Sequence, residues 1–139
     1  MDTDKLYELT SEDIHSLVKN NKKNWDHYGL PVIEIDDEEI AVALTEDDAD
    51  AAAADAIKSS LAYFGSDFLA NKTGLPVVFF QSLQKHDFDD SEAMCRLVEA
   101  TCGLDDLIDD ACCIDGRGHF LSSYDGSEHE VDGCFLYII

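Results

Sequence analysis

The residues of this sequence with the clearest chemical potential are carboxylates that recur in close groups. Five of them fall in the segment TEDDADAAAADA, and the segment DDLIDD, residues 105–110, holds four more. Carboxylates at such spacing could bind a divalent cation, or they could attract a basic surface through their charge. The candidate partner-binding residues are Asp36, Asp37, Glu38, Glu39, Glu46, Asp47, Asp48, Asp105, Asp106, Asp109 and Asp110.

The charge balance of the chain limits the partners that these groups could have. Its 139 residues include 31 Asp and Glu against nine Lys and Arg, and the formal net charge is −22. Nucleic acid and anionic membranes would repel such a chain. No apolar run approaches the ~20 residues of a membrane span. We therefore expect a cytoplasmic protein that contacts a basic protein partner, and neither nucleic acid nor a membrane directly.

The histidines and cysteines do not indicate a metal site or a disulfide framework. Five cysteines form an odd set without the spacing of a disulfide scaffold, which is typical of reduced thiols in a cytoplasm. His119, His129 and Cys134 could meet in the C-terminal region, but no C-x-x-C pair accompanies them. We expect no bound metal and no cofactor.

Motifs of known enzymes are also missing from the sequence. It contains no G-x-S-x-G, P-loop or H-E-x-x-H pattern. DDLIDD resembles the Asp-rich motif of polyprenyl synthases, but those enzymes are much larger helical proteins that carry two such motifs. We expect a protein that is not an enzyme, with a carboxylate-metal-dependent enzyme as a second alternative.

Hydrophobic periodicity and turn residues predict the elements that position the acids. Helices are expected from Thr10 to about Asn24, from Thr45 to about Asn71, and in three further segments up to residue 113. Strands are expected in GLPVIEI and EEIAVAL, joined by Asp36 and Asp37, and again from about residue 119 to the C-terminus. The chain is predicted to be one α+β domain, residues 1–139, with several helices on a small antiparallel sheet that includes the C-terminal strands.

Arg117 stands between Gly116 and Gly118 in the most distinctive local string, DGRGHFLSSYDG. The glycines predict a tight reversal from helix into strand. Arg117 is expected to form an ion pair at this junction, with its partner among Asp109, Asp110, Asp115 and Asp125.

Helix electrostatics explain only some of the carboxylates. Acids in the first turn of a helix gain roughly 0.3–1 kcal/mol each from the macrodipole, which accounts for Glu46, Asp47 and Asp48. In DDLIDD, by contrast, Asp105 and Asp109 are like charges at i, i+4, which cost roughly 0.2–0.5 kcal/mol per pair. These acids, and the four at 36–39, therefore point to a role other than stability.

The amount of charge is comparable with that of a nucleic acid. Duplex DNA carries one charge per roughly 1.7 Å, so 22 charges would line about 37 Å of its axis. In size, charge and acidic rows on helices, the chain resembles the small acidic anti-defence proteins of phages and plasmids, the anti-CRISPR and antirestriction inhibitors that imitate DNA. The resemblance involves no shared motif.

This resemblance implies an acidic inhibitor that occupies the basic nucleic-acid groove of a nuclease or restriction or CRISPR effector, in a bacterial or archaeal cytoplasm. The alternative is a halophilic or general acidic protein-interaction domain. A halophilic surface would account for an excess of Asp, 21 residues, over Glu, 10 residues.

Overall fold

A computed structural model describes residues 2–139 and shows the α+β fold that the sequence predicts. The first half contains a 3-10 helix (Thr3–Glu8), α1 (Ser11–Asn21), β1 (Asp26–His27), β2 (Leu30–Ile35), β3 (Glu38–Ala43) and α2 (Glu46–Ser60). The second half contains a 3-10 helix (Leu61–Tyr63), α3 (Ser66–Thr73), α4 (Val77–Lys85), α5 (Ser91–Thr101), α6 (Leu104–Asp115), α7 (Arg117–Leu121), β4 (His129–Val131) and β5 (Cys134–Ile138).

These elements form two compact units. The first comprises the residues up to Asp55 together with Asp115–Ile139, and the second comprises Ala56–Ile114. The expectation of a single domain over residues 1–139 stays a prediction.

The first unit is built on a five-stranded antiparallel sheet in the order β1-β2-β3-β5-β4, so the C-terminal strands belong to it as predicted. Its three hairpins have two-residue loops in which both residues have positive φ, as type I′ hairpins require. The loops are Tyr28-Gly29, Asp36-Asp37 and Asp132-Gly133. The expected hairpin tip at Asp36 and Asp37 is therefore confirmed.

One face of this sheet carries the core of the first unit. Alternate residues of β3 and β5, such as Ile40, Val42, Leu136 and Ile138, are fully buried there because side chains two apart share a face. The N-terminal 3-10 helix and α1 contribute buried aliphatic side chains to the same cluster. The helix expected from Thr10 starts there, and Thr10 and Asp13 form a capping box at the start of α1.

The predicted helix from residue 45 to 71 is wrong in its length. α2 ends at Ser60, and α3 begins only at Ser66 after a 3-10 turn and an extended Phe64. Gly65, a poor helix residue, stands at the break. The amide of Gln84, on α4, donates a 2.6 Å hydrogen bond to the Phe64 carbonyl. A tertiary contact thus replaces the helical hydrogen bond that a continuous helix would have made.

The expectation of strand from residue 119 is also wrong at its start. Residues 117–121 form the short helix α7, and strand structure begins at His129. A Cβ on Gly118 would lie 2.5 Å from the backbone carbon of Ser127, so this turn of helix packs directly on the following backbone. Close packing on residues 126–128 favours the helix over an extended strand.

Candidate acidic partner interface

The predicted acids at 36–39 occupy the β2–β3 hairpin. Asp36 and Asp37 are exposed in the loop, and Glu38 and Glu39 are half-buried at the start of β3. Asp is among the residues that tolerate positive φ, so turn geometry accounts for the first two acids. Lys5 Nζ lies 2.9 Å from Asp36 Oδ2, which neutralises part of the loop's charge.

The half-buried end of this group shows unfavourable like-charge pairing. Glu39 lies directly opposite Glu34 in the β2–β3 register, and like charges in that position are destabilising. Lys23 relieves the repulsion, because its Nζ lies 2.7 Å from Glu34 Oε2. A hydrogen bond to Glu34 raises the pKa of Lys23, and the charge of Glu39 adds to the effect. The hairpin therefore has less free negative charge than its sequence suggests.

The predicted acids at 46–48 lie in the first turn of α2 and are all exposed. The Asp48 amide donates to Thr45 Oγ1 at 3.1 Å, so Thr45 is the N-cap of the helix expected to start at this residue. Glu46 is also 3.7 Å from the guanidinium of Arg117. Two of the three, Asp47 and Asp48, form no ion pair within residues 2–139.

The predicted acids at 105–110 lie on α6, in the second unit. Leu107, Ile108 and Ala111 are buried on one side of the helix. Asp105, Asp106 and Asp109 are exposed. Asp110 is half-buried and forms an ion pair with Lys72, so the predicted row of four is a row of three with a neutralised fourth member.

Arg117 forms the expected ion pairs, but none of its partners is a residue that the sequence suggested. Its guanidinium contacts Asp50 at 2.8 Å and Glu128 at 2.8 Å, and it lies 4.8 Å from the centre of the Phe135 ring. Burial opposes the charged form of Arg117, yet hydrogen bonds to Glu128 and Asp50 outweigh burial and raise its pKa. Tyr137 also donates to Glu128.

A second polar cluster ties the N-terminal and C-terminal parts of the first unit together. Tyr7 Oη and His129 Nδ1 are 2.9 Å apart, and His129 Nε2 is 3.4 Å from Asp125. The Ser122 hydroxyl contacts Asp125 at 2.9 Å and the Ile138 carbonyl at 2.7 Å. Ser122 therefore hydrogen-bonds to the carboxylate of Asp125 and not to the imidazole of His129, whereas the serine of a catalytic triad contacts the imidazole. This cluster closes the turn before β4.

Local sequence patterns predicted an ion pair for Arg117 but not its partners, and they did not predict the contact between Tyr7 and His129. Tyr7 and His129 are 122 residues apart, and Arg117 and Asp50 are 67 apart. Burial of Tyr137 and its contact with Glu128 raise the pKa of this phenol. The cluster around Arg117 and the cluster around His129 both connect residues 117–129 to the rest of the first unit.

The cysteines are spread over both units, whereas the candidate zinc residues His119, His129 and Cys134 all belong to the first. All five cysteines are free thiols, and burial raises the pKa of Cys95 and Cys134. His119 is exposed on α7, whereas Cys134 is buried on β5. Within residues 2–139 no group of three or more His, Cys, Asp or Glu has an arrangement that could hold a metal ion.

In each unit, a cavity combines a tyrosine with two aspartates. The first, of about 230 Å³, lies between the β1–β2 hairpin and α2 and includes Tyr28, Asp48 and Asp55. The second, of about 510 Å³, is lined by Ala62, Tyr63, Phe64, Gly65, Gln84, Asp87, Phe88 and Asp89. Neither cavity was foreseen from the sequence.

Comparison with protein-family models, curated proteins and solved structures finds no match to this chain. In the part of the chain that the structure describes, no helix has the length and apolar character needed to cross a membrane.

Proposed function

We propose that this protein is an acidic inhibitor that occupies the basic nucleic-acid groove of a host defence nuclease or another DNA- or RNA-binding protein. In this function it would act as the anti-CRISPR and antirestriction DNA mimics do, in the cytoplasm of a bacterial or archaeal host. The observation that carries the proposal is the exposed row of carboxylates on α6, opposite the buried side of that helix.

The charge density of this row is close to that of DNA. Residues 105 to 110 span five helical rises, or about 7.5 Å, and their four carboxylates correspond to one charge per about 1.9 Å. With Asp110 neutralised by Lys72, the remaining three carboxylates span four helical rises, or about 6 Å, and correspond to one charge per about 2.0 Å. Duplex DNA carries one charge per roughly 1.7 Å. A groove shaped for phosphates would thus meet a similar charge density on α6.

The shortage of free cations supports the same proposal. Within residues 2–139, five of the nine Lys and Arg residues form ion pairs with carboxylates: Lys5, Lys23, Lys72, Arg96 and Arg117. The acids that form no ion pair within residues 2–139 therefore keep their charge for long-range attraction: Asp105, Asp106 and Asp109 on α6, and Asp47 and Asp48 in the first turn of α2. Such attraction speeds association and weakens when salt shortens the Debye length to about 8 Å at physiological strength.

Competition with DNA tests this function. The protein would be immobilised, incubated with bacterial lysate, and challenged with duplex DNA at constant ionic strength. We expect capture of a nucleic-acid-binding protein that DNA displaces, since inhibitor and DNA would share one groove. Captured proteins that remain bound at saturating DNA would contradict the proposal.

A charge-matched pair of variants then tests the α6 row. Asp105→Asn/Asp106→Asn/Asp109→Asn removes three charges from α6, and Glu8→Gln/Glu12→Gln/Glu130→Gln removes three exposed charges elsewhere. We expect slower association with the captured protein for the α6 variant only. Equal slowing by both variants would mean that net charge, and not this row, governs the encounter.

The alternative of a halophilic or general acidic domain is favoured by the local roles of several acids. Asp36 and Asp37 form a tight turn, and Glu46 and Asp47 lie at a helix N-terminus. Such a domain would need no groove to bind. Unfolding measured from low to molar salt separates the two: a folded state that requires molar salt would support the halophilic alternative.

A further inference from the structure

The cavity of about 510 Å³ in the second unit combines aromatic rings with negative charge. Tyr63, Phe64 and Phe88 contribute the rings, and Asp87 and Asp89 contribute the carboxylates. Tyr63 is 68% exposed, which is unusually open for a large aromatic side chain. Within residues 2–139 neither aspartate forms an ion pair.

Hydrogen bonds to backbone carbonyls, together with a left-handed residue, hold the segments that line this cavity in place. On one side, Gln84 donates to the Phe64 carbonyl at 2.6 Å and so ties the segment after Tyr63 to α4. On the other side, Asp87 adopts a positive φ of 56° at the end of α4. The Phe88 amide then donates to the Leu83 carbonyl at 3.0 Å. The aromatic and acidic side chains are therefore presented by a pre-formed frame.

The chemistry of the lining selects a cation. Aromatic faces attract cations through their quadrupole, and two carboxylates add charge and hydrogen-bond acceptors. A guanidinium satisfies both features, because it is planar, stacks on rings and donates in a fork that matches carboxylates. An ammonium group is a more strongly hydrated point charge and would use the rings less well. The volume lies within the roughly 300–1,000 Å³ of small-ligand sites.

We propose that this cavity binds an arginine side chain of a partner protein. The guanidinium stacks on the aromatic lining and pairs with Asp87 and Asp89. Its charge complements the carboxylates, and a partner with a basic groove presents such arginines. The inference goes beyond the acidic rows, because it adds a site that recognises one side-chain type. It rests on the proposed function only for the source of that arginine.

The test uses a probe that needs no partner. N-acetyl-arginine amide would be titrated into ¹⁵N-labelled protein, with the corresponding lysine and citrulline compounds as controls. We expect saturable chemical-shift changes confined to residues 62–65 and 84–89 for arginine. Binding should be at least about fivefold weaker for lysine and absent for the neutral citrulline compound. Shifts spread evenly over the acidic surface, or equal binding of lysine, would overturn the proposal.

Matched variants separate the cavity from general charge. Tyr63→Leu and Asp89→Asn should each weaken arginine binding by at least about fivefold. Phe79→Leu and Asp67→Asn alter an exposed aromatic residue and an exposed acid outside the cavity and should change binding less than about twofold. If Tyr63→Leu does not fold, Asp89→Asn, at an exposed position, still tests whether the cavity binds arginine. Equal effects of Asp89→Asn and Asp67→Asn would refute a specific site.

The outcome is distinguishable from that of the proposed function. If arginine binds at the cavity but no partner is displaced by DNA, the arginine site is supported and the inhibition of a nucleic-acid-binding protein is rejected. The reverse result would retain the acidic interface and reject the arginine site.

Discussion

Arg117 and Glu128 form a two-point ion pair, with Nε 2.8 Å from Oε1 and Nη2 3.1 Å from Oε2. The arginine side chain is only 13% exposed, and the same guanidinium reaches Asp50 on α2. One of the two arginines in a chain of net charge −22 is thus used inside the fold, not on its surface. Its role is to join α2, α7 and the segment before β4.

Replacing Arg117 should therefore destabilise the protein strongly. Arg117→Met leaves the partly buried Glu128 without its cation; removing one partner of a fully buried pair costs about 3–5 kcal/mol, which is the upper limit for this partly exposed pair. Urea denaturation would measure the change. Arg96→Met removes the exposed i, i+4 partner of Glu92 and should change stability by less than about 0.5 kcal/mol. Similar losses in both variants would show that the Arg117 cluster has no special structural role.

Gly118→Ala tests the close packing of α7. Its Cβ would lie 2.5–2.8 Å from the backbone of residues 126–128, and such overpacking costs about 1–3 kcal/mol. Gly65→Ala is the control, since no atom lies within 4 Å of its Cβ position. We expect a lower urea midpoint for Gly118→Ala and a change within about 1 kcal/mol for Gly65→Ala. An unchanged midpoint for Gly118→Ala would contradict the direct backbone contact.

Adjacent aspartates of α6 should have opposite effects on stability. Asp109→Asn removes a like-charge i, i+4 interaction with Asp105 and should stabilise the protein by about 0.2–0.5 kcal/mol. Asp110→Asn removes the ion-pair partner of Lys72 and should destabilise the protein. The hydrogen bond from Lys72 to Asp110 raises the pKa of Lys72, so this contact favours the charged lysine. Thermal unfolding of the two variants at low salt gives the comparison. Because Asp110→Asn also removes the like-charge i, i+4 interaction with Asp106, stabilisation by both variants would mean that the Lys72 contact contributes less than that repulsion costs.

Asp125 should give the first unit an acid-sensitive contribution to stability. Burial tends to raise its pKa, but hydrogen bonds from Ser127 and Ser122 and the contact with His129 outweigh burial and lower it. A carboxyl with a lowered folded pKa stabilises the protein above its unfolded pKa, about 3.9, and loses that effect as pH falls through the folded value.

The stability difference between wild type and Asp125→Asn should therefore be largest at neutral pH and shrink below about pH 4. Urea denaturation over that range measures it. Glu130→Gln, at an exposed position on β4, should show no such pH-dependent difference. A constant difference for Asp125→Asn at every pH would show that the charge of Asp125 is not what stabilises the turn.

The sequence by itself determined the features that depend on neighbouring residues. Asp36-Asp37 and Asp132-Gly133 are turn pairs whose residue types suit positive φ, so two hairpins could be predicted. Thr10 with Asp13, and Thr45, are local helix caps with partners three residues away. The α+β class and the amphipathic face of α6 follow from the same short-range patterns.

Only the tertiary structure decided which charges are neutralised and where helices break. The Lys72–Asp110 pair spans 38 residues and the Arg117–Asp50 pair spans 67, and no local pattern encodes such distances. The break at Phe64–Gly65 and the helix at residues 117–121 likewise depend on contacts with Gln84 and with residues 126–128. In each case a contact formed on folding outweighs local propensities, which differ by less than about 1 kcal/mol per residue.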